Sequence, residues 1–144
     1  MSRWLLLSYK IPGEPTAQRV YVWRKLKRLG AHLLDGAVWV LPKTPHTLED
    51  FQWLAAEIAE LGGHANLWEA RPAFPGQDEA LVKLFEGHAN ESYRRMLTEL
   101  EENDADLRAL SWRYQQIRAK DYFGSALGAR AREALLASRG GGDR

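Results

Sequence analysis

The chain has 144 residues, 45% apolar and 27% charged, a balance that supports a buried core and excludes wholesale disorder. With 20 Lys and Arg against 19 Asp and Glu the formal net charge is +1, so affinity for nucleic acid has to come from where the cations gather. There is no cysteine, which excludes disulfides, thiolate metal sites and cysteine nucleophiles.

In chain order, Trp4 to Ile11 is short, apolar and aromatic and closes at Pro12-Gly13, a buried strand running into a turn. Its uncharged apolar run, Trp4 to Leu7, falls far short of the ~20 residues of a membrane span. Met1-Ser2-Arg3 ahead of so short a run lacks the makings of a secretory signal, so a cytoplasmic protein with no membrane partner is expected. Pro15-Thr16 opens a helix through about Leu29, ended by Gly30. Ala31 to Leu34 and Ala37 to Leu41 flank Asp35-Gly36, a hairpin signal because both turn positions tolerate positive φ. Pro42 stops the second of these strands.

Thr44-Pro45 or Thr47 caps the next helix, with Asp50 three residues after Thr47 in a capping-box position. Leu48, Phe51, Leu54, Ala55, Ile58 and Leu61 recur at helical spacing until Gly62-Gly63. Ala65 to Ala70 is the last strand candidate before Arg71-Pro72. The order β-α-β-β-α-β predicts an α+β fold, a ferredoxin-like antiparallel sheet with two helices on one face. After the linker Ala73-Phe74-Pro75-Gly76 come a long helix from Asp78 to about Glu102, a second capped by Asn103 or Asp104, and a third from Ala126 to Ser138. The expected organisation is a core over 1–72, a helical extension over 73–139 packed on it, and a flexible tail over 140–144.

Catalytic chemistry is hard to place on these residues. His32, His46, His64 and His88 fall in different elements without metal-ligand spacing. Glu99, Glu101, Glu102, Asp104 and Asp106 gather where two helices join, the usual place for a solvated, dipole-favoured cap. Gly124-Ser125 sits in no nucleophile elbow, and no glycine-rich phosphate loop is present. No catalytic residue, metal or cofactor is therefore expected, and the protein is read as a non-enzyme.

The first helix is more informative. At 100° per residue Val22, Leu26 and Leu29 share one side, with Trp23 on its flank. Tyr21, Arg24 and Arg28 form a stripe opposite, bordered by Lys25 and Lys27. Long cations that neutralise phosphates beside an aromatic ring suit a nucleic-acid surface; a solvated amphipathic face is the competing reading. Arg19 lies on the apolar side of this helix near the end of the first strand, where a structural ion pair with Glu14 or a strand residue is expected. Trp53 shares its side of the second helix with Glu57 and Glu60 and requires cover, from the C-terminal helices folding back or from a second subunit, the former being favoured.

With those residues in view the sequence resembles the N-terminal domain of the chromate-resistance ChrB family. The likeness rests on Trp4-Leu5-Leu6-Leu7-Ser8-Tyr9-Lys10-Ile11-Pro12, on Arg19 and Val22 through Ala31, on Ala37-Val38-Trp39-Val40-Leu41-Pro42, on 55–63 and on Ile117 through Gly124. It implies a transcriptional regulator of chromate-resistance genes whose domain binds double-stranded promoter DNA. The chromate-sensing domain it implies in longer members is not expected here, so chromate sensing by this chain is in doubt. A more distant fold likeness is to a CRISPR-associated endoribonuclease, which dimerises and places an Asp metal ligand where this sequence has Tyr9-Lys10-Ile11. Lys10 cannot replace a Mg²⁺-binding carboxylate, which argues against nuclease chemistry, while the shared architecture implies a homodimer suited to a palindromic site. The expected DNA contacts are Arg24, Lys25, Lys27, Arg28 and Tyr21, with Lys10 and Arg19 in support. The competing reading is a dimerisation or protein-interaction module that uses Trp53 and leaves DNA alone; a metal-dependent nuclease is a minor third.

Overall fold

The computed structural model describes residues 3–142; Met1, Ser2, Asp143 and Arg144, with the expectations that rest on them, lie outside the described residues. The elements run β1 (Trp4–Lys10), α1 (Thr16–Leu29), β2 (His32–Leu34), β3 (Val38–Pro42), α2 (Pro45–Glu60), β4 (His64–Ala70), α3 (Gln77–Leu100), α4 (Leu107–Ala119) and α5 (Ala126–Gly142). The fold is α+β, and the chain divides into two compact units, Met1–Asp78 and Glu79–Arg144.

In the first unit four antiparallel strands form one sheet in the order β2-β3-β1-β4. Strand side chains alternate between faces, and the register places Leu5 opposite Leu41 and Leu7 opposite Trp39, so these four share a face and all are buried. Val22 and Leu26 of α1 and Phe51, Leu54 and Ile58 of α2 are buried too, the helical spacing of each supplying one apolar stripe. Trp4, on the opposite parity, is also buried, and its indole donates to Asp78 Oδ1 at 2.8 Å.

Local chemistry sets the joints. Asp35 and Gly36 take positive φ of 50° and 70°, and the Ala37 amide closes the turn on the Leu34 carbonyl at 2.9 Å. The strand then starts at Val38, one residue later than expected. Thr44 is the N-cap of α2: its hydroxyl accepts from the Thr47 amide at 3.0 Å, and the Thr47 hydroxyl accepts from the Thr44 amide at 2.8 Å. Thr47 thus fills the third-residue role in the capping box, and Asp50, expected to do so for a cap at Thr47, faces His46 at 3.4 Å instead.

In the second unit Ala89, Tyr93 and Met96 of α3, Leu110 and Tyr114 of α4, and Ala131 and Leu135 of α5 close one core. Phe85 meets Tyr122 and Phe123 edge-to-face at 6.1 and 6.2 Å, which docks the break between α4 and α5 onto α3. The cap of α4 is Asp106, whose carboxylate accepts from the Ala109 amide at 3.1 Å, in place of Asn103 or Asp104. From the same acidic cluster Glu99 pairs with Arg113. Helix α5 continues through Gly142, past the expected end at Ser138, so Gly140 to Gly142 are helical.

Tyr93 ties α3 to the segment between α4 and α5. Its hydroxyl donates to Asp121 Oδ2 at 3.0 Å, the Ser125 amide donates to the same carboxylate at 3.0 Å, and burial followed by the Asp121 bond pushes the phenol pKa up. Tyr93→Phe removes a side-chain donor to Asp121 and is expected to cost about 1.5 kcal/mol in urea unfolding. A loss below about 0.5 kcal/mol would mean that the bond adds nothing to the packing of the ring.

Candidate nucleic-acid interface on the first helix

Helix α1 separates its side chains as the wheel predicts. Val22 and Leu26 face the core, while Tyr21, Trp23, Arg24, Lys27 and Arg28 are exposed. Arg24 and Arg28, one turn apart, make no ion pair with a carboxylate among the described residues. Lys27 Nζ stands 5.4 Å from the centroid of the Trp23 ring, a cation–π contact that leaves its charge uncompensated. Lys27 and Arg28 also occupy the last turn, where the helix dipole favours positive charge.

Two of the expected contacts are already engaged. Lys25 Nζ binds Glu57 Oε1 of α2 at 3.3 Å, and the Tyr21 hydroxyl donates to Glu57 Oε2. Glu57 is the residue that reading along the chain missed: it was visible only as a neighbour of Trp53, and nothing local announces that it faces α1. The Tyr21 hydrogen bond, reinforced by Lys25, holds the Glu57 carboxyl below its usual value of 4.5, and the Glu57 bond in turn raises the Lys25 ammonium. A lowered folded pKa stabilises the fold wherever the unfolded carboxyl is ionised, so this contribution is complete above about pH 4.5 and is lost as the pH falls through the lower folded value. Both partners are about one-third exposed, so its size stays under about 1 kcal/mol. Glu57→Gln is therefore expected to flatten the acid limb of the stability–pH curve below about pH 4.5 while changing neutral-pH stability by less than about 1 kcal/mol.

Lys10 and Arg19 lie elsewhere. They line a cleft of about 840 Å³ between the end of β1, α1 and the β2–β3 hairpin, away from the Arg24–Arg28 stripe. Arg19 is exposed and has no carboxylate partner among the described residues, which corrects the ion pair expected with Glu14 or a neighbouring strand. Arg19 acts electrostatically on Tyr9, whose phenol pKa is raised by burial and drawn part of the way back by the guanidinium. Trp53 of α2 is 65% exposed within the chain.

Residues 19–98, from α1 through most of α3, match the family described as Protein ChrB, N-terminal. The chain belongs to the ChrB N-terminal family. A curated relative, Protein ChrB of Cupriavidus metallidurans, is 27% identical over 140 residues, covering 89% of this chain and 43% of its own. The ChrB-family chain therefore spans less than half the length of that relative. No solved structure gives a significant match. No helix among the described residues is long and apolar enough to cross a membrane, and no three His, Asp or Glu side chains among them gather as a metal site would require.

Proposed function

We propose that this ChrB-family chain is the DNA-binding part of a cytoplasmic transcriptional regulator of chromate-resistance genes, that it acts without catalysis, and that it works as a homodimer. The observation that carries the reading is the pair Arg24 and Arg28, exposed one turn apart on α1 and without carboxylate partners, with Lys27 beside them. Unpaired cations on one helix face release counterions from duplex DNA, whereas Lys25, held by Glu57, contributes less. The β-α-β-β-α-β order with sheet order β2-β3-β1-β4 supports a ferredoxin-like reading of the first unit. Two α1 helices related by a dimer axis would meet two half-sites of a palindrome.

Fluorescence anisotropy with labelled duplex from the upstream region of the protein's own operon, against scrambled duplex at two salt concentrations, tests the proposal. Tight, salt-sensitive binding that prefers the native duplex is expected. Equal binding to both would reduce the role of α1 to charge-driven association, and no binding to either at low salt would remove DNA from the account.

A second reading draws on one observation. Trp53, 65% exposed beside Glu57 and Glu60, suits a protein partner better than it suits water. An interaction module built on Trp53 predicts that Trp53→Ser dissociates an oligomer in light scattering while leaving duplex affinity intact. A concentration-independent monomer in the unmodified protein rules out self-association through this residue.

A further inference from the structure

The cleft between the end of β1, α1 and the β2–β3 hairpin carries a second chemistry. Its cations, Lys10 and Arg19, come from different elements, both are exposed, and no carboxylate lines the cavity. Its apolar surface is aromatic and aliphatic: Trp39 lies buried, while Trp23, Leu33 and Val20 are 49%, 46% and 39% exposed. Apolar side chains left in water on two elements, α1 and β2, that converge on one cavity contrast with the closed packing of Leu5, Leu7 and Leu41 in the same unit. At about 840 Å³ the cleft falls inside the ~300–1,000 Å³ range of small-molecule sites, in which an apolar lining holds the ligand and a few polar groups orient it.

The charge distribution narrows the ligand. A neutral apolar ligand would leave the guanidinium and the ammonium without function, and an inorganic anion would leave the indoles without function. A guanidinium binds a carboxylate or a phosphate through two parallel hydrogen bonds, and indole faces stack on flat rings. We propose that this cleft binds a small organic anion bearing an aromatic ring, with its carboxylate or phosphate on Arg19 and Lys10 and its ring against Trp23, Leu33 and Trp39. Tyr9 lines the same cleft beside Lys10, so its hydroxyl offers a further hydrogen bond to the ligand's polar end. Arg24 and Arg28 do not line the cleft, so its cations are distinct from that stripe.

The test uses three matched probes on the ¹⁵N-labelled full chain, followed through the indole N–H resonances: 2-naphthoate, neutral 2-naphthylmethanol and cyclohexanecarboxylate. Saturable shifts of the Trp23 and Trp39 indoles with 2-naphthoate are expected, with each of the other two binding at least about tenfold more weakly because one lacks the charge and the other the flat ring. Arg19→Gln, at an exposed and unpaired position that folding does not require, should weaken 2-naphthoate by about tenfold, and Lys10→Gln should do so independently. Arg24→Ala with Arg28→Ala should leave the naphthoate titration unchanged whether or not duplex binding is lost, which separates this proposal from the DNA reading. Equal affinity for naphthylmethanol, indifference to both Arg19→Gln and Lys10→Gln, or the absence of a saturable Trp39 shift would each overturn it. So would a single-stranded oligonucleotide that shifts these indoles where 2-naphthoate does not, since the site would then belong to a nucleic-acid strand.

Discussion

Arg24→Ala combined with Arg28→Ala is expected to flatten the dependence of log affinity on log salt by about 1.8, about 0.9 for each lost phosphate contact. At about 0.1 M salt that corresponds to a loss of roughly 10²-fold in duplex affinity, falling equally on native and scrambled sequences because phosphate contacts position without reading. Neither side chain is buried or paired, so thermal unfolding should move by little, and a large fall in Tm would show that the fold rather than the interface had been damaged. Glu57→Gln should act in the opposite direction. It removes the charge that holds Lys25, adds one unit of positive charge to the same surface, and should steepen the salt slope by up to about 0.9. An unchanged slope in the double variant would take α1 out of the interface, and a Glu57→Gln slope that stayed level would mean that Lys25 points away from the duplex.

The second large effect is structural. Gly63 precedes β4, where the chain passes so close to the end of β1 that a β-carbon there would stand 2.3 Å from the Lys10 carbonyl oxygen and 3.1 Å from the Ile11 Cα. A third contact, Ile58 Cγ2 at 3.1 Å, closes the remaining side. Backbone atoms held in the β1–β4 ladder cannot swing aside as a flexible side-chain end would, and Lys10 pairs with His64 in that ladder. Gly63→Ala is expected to cost at least about 3 kcal/mol, a fall in Tm of more than about 12 °C for a unit of this size. Differential scanning calorimetry beside Gly13→Ala, where a β-carbon meets nothing within 4 Å, gives the comparison. Similar Tm values for the two variants would show that β4 can shift away from β1 without loss.

The element order was legible because its signals are local. Asp35-Gly36 turns the hairpin through the φ values of those two residues alone, and the apolar residues of α2 recur every three or four positions whatever they pack against. Family membership was legible for a related reason, since it rests on an ordered set of such segments spread along the chain. Joints were less legible where several residues could serve. Asn103, Asp104 and Asp106 are all good N-caps within four positions, and the choice of Asp106 depends on where the α4 amides end up after the loop has packed. Thr44 and Thr47 posed the same problem, with each contributing half of the capping box.

For the candidate site, the spacing along α1 already assigns its faces, Val22 and Leu26 inward and Arg24 and Arg28 outward, because the helix turns every 3.6 residues. Which of the outward cations are available follows from packing between helices. Whether Lys25 meets a carboxylate depends on the rotation and offset of α1 against α2, two rigid-body quantities that no spacing within either helix encodes, and they bring Glu57 to Tyr21 and Lys25 while leaving Arg24 and Arg28 unpaired. The same holds for Arg19, which the helical wheel places toward the apolar side. The end of β1 and the hairpin line a cleft with it and bring no carboxylate there, so its guanidinium is exposed instead of paired.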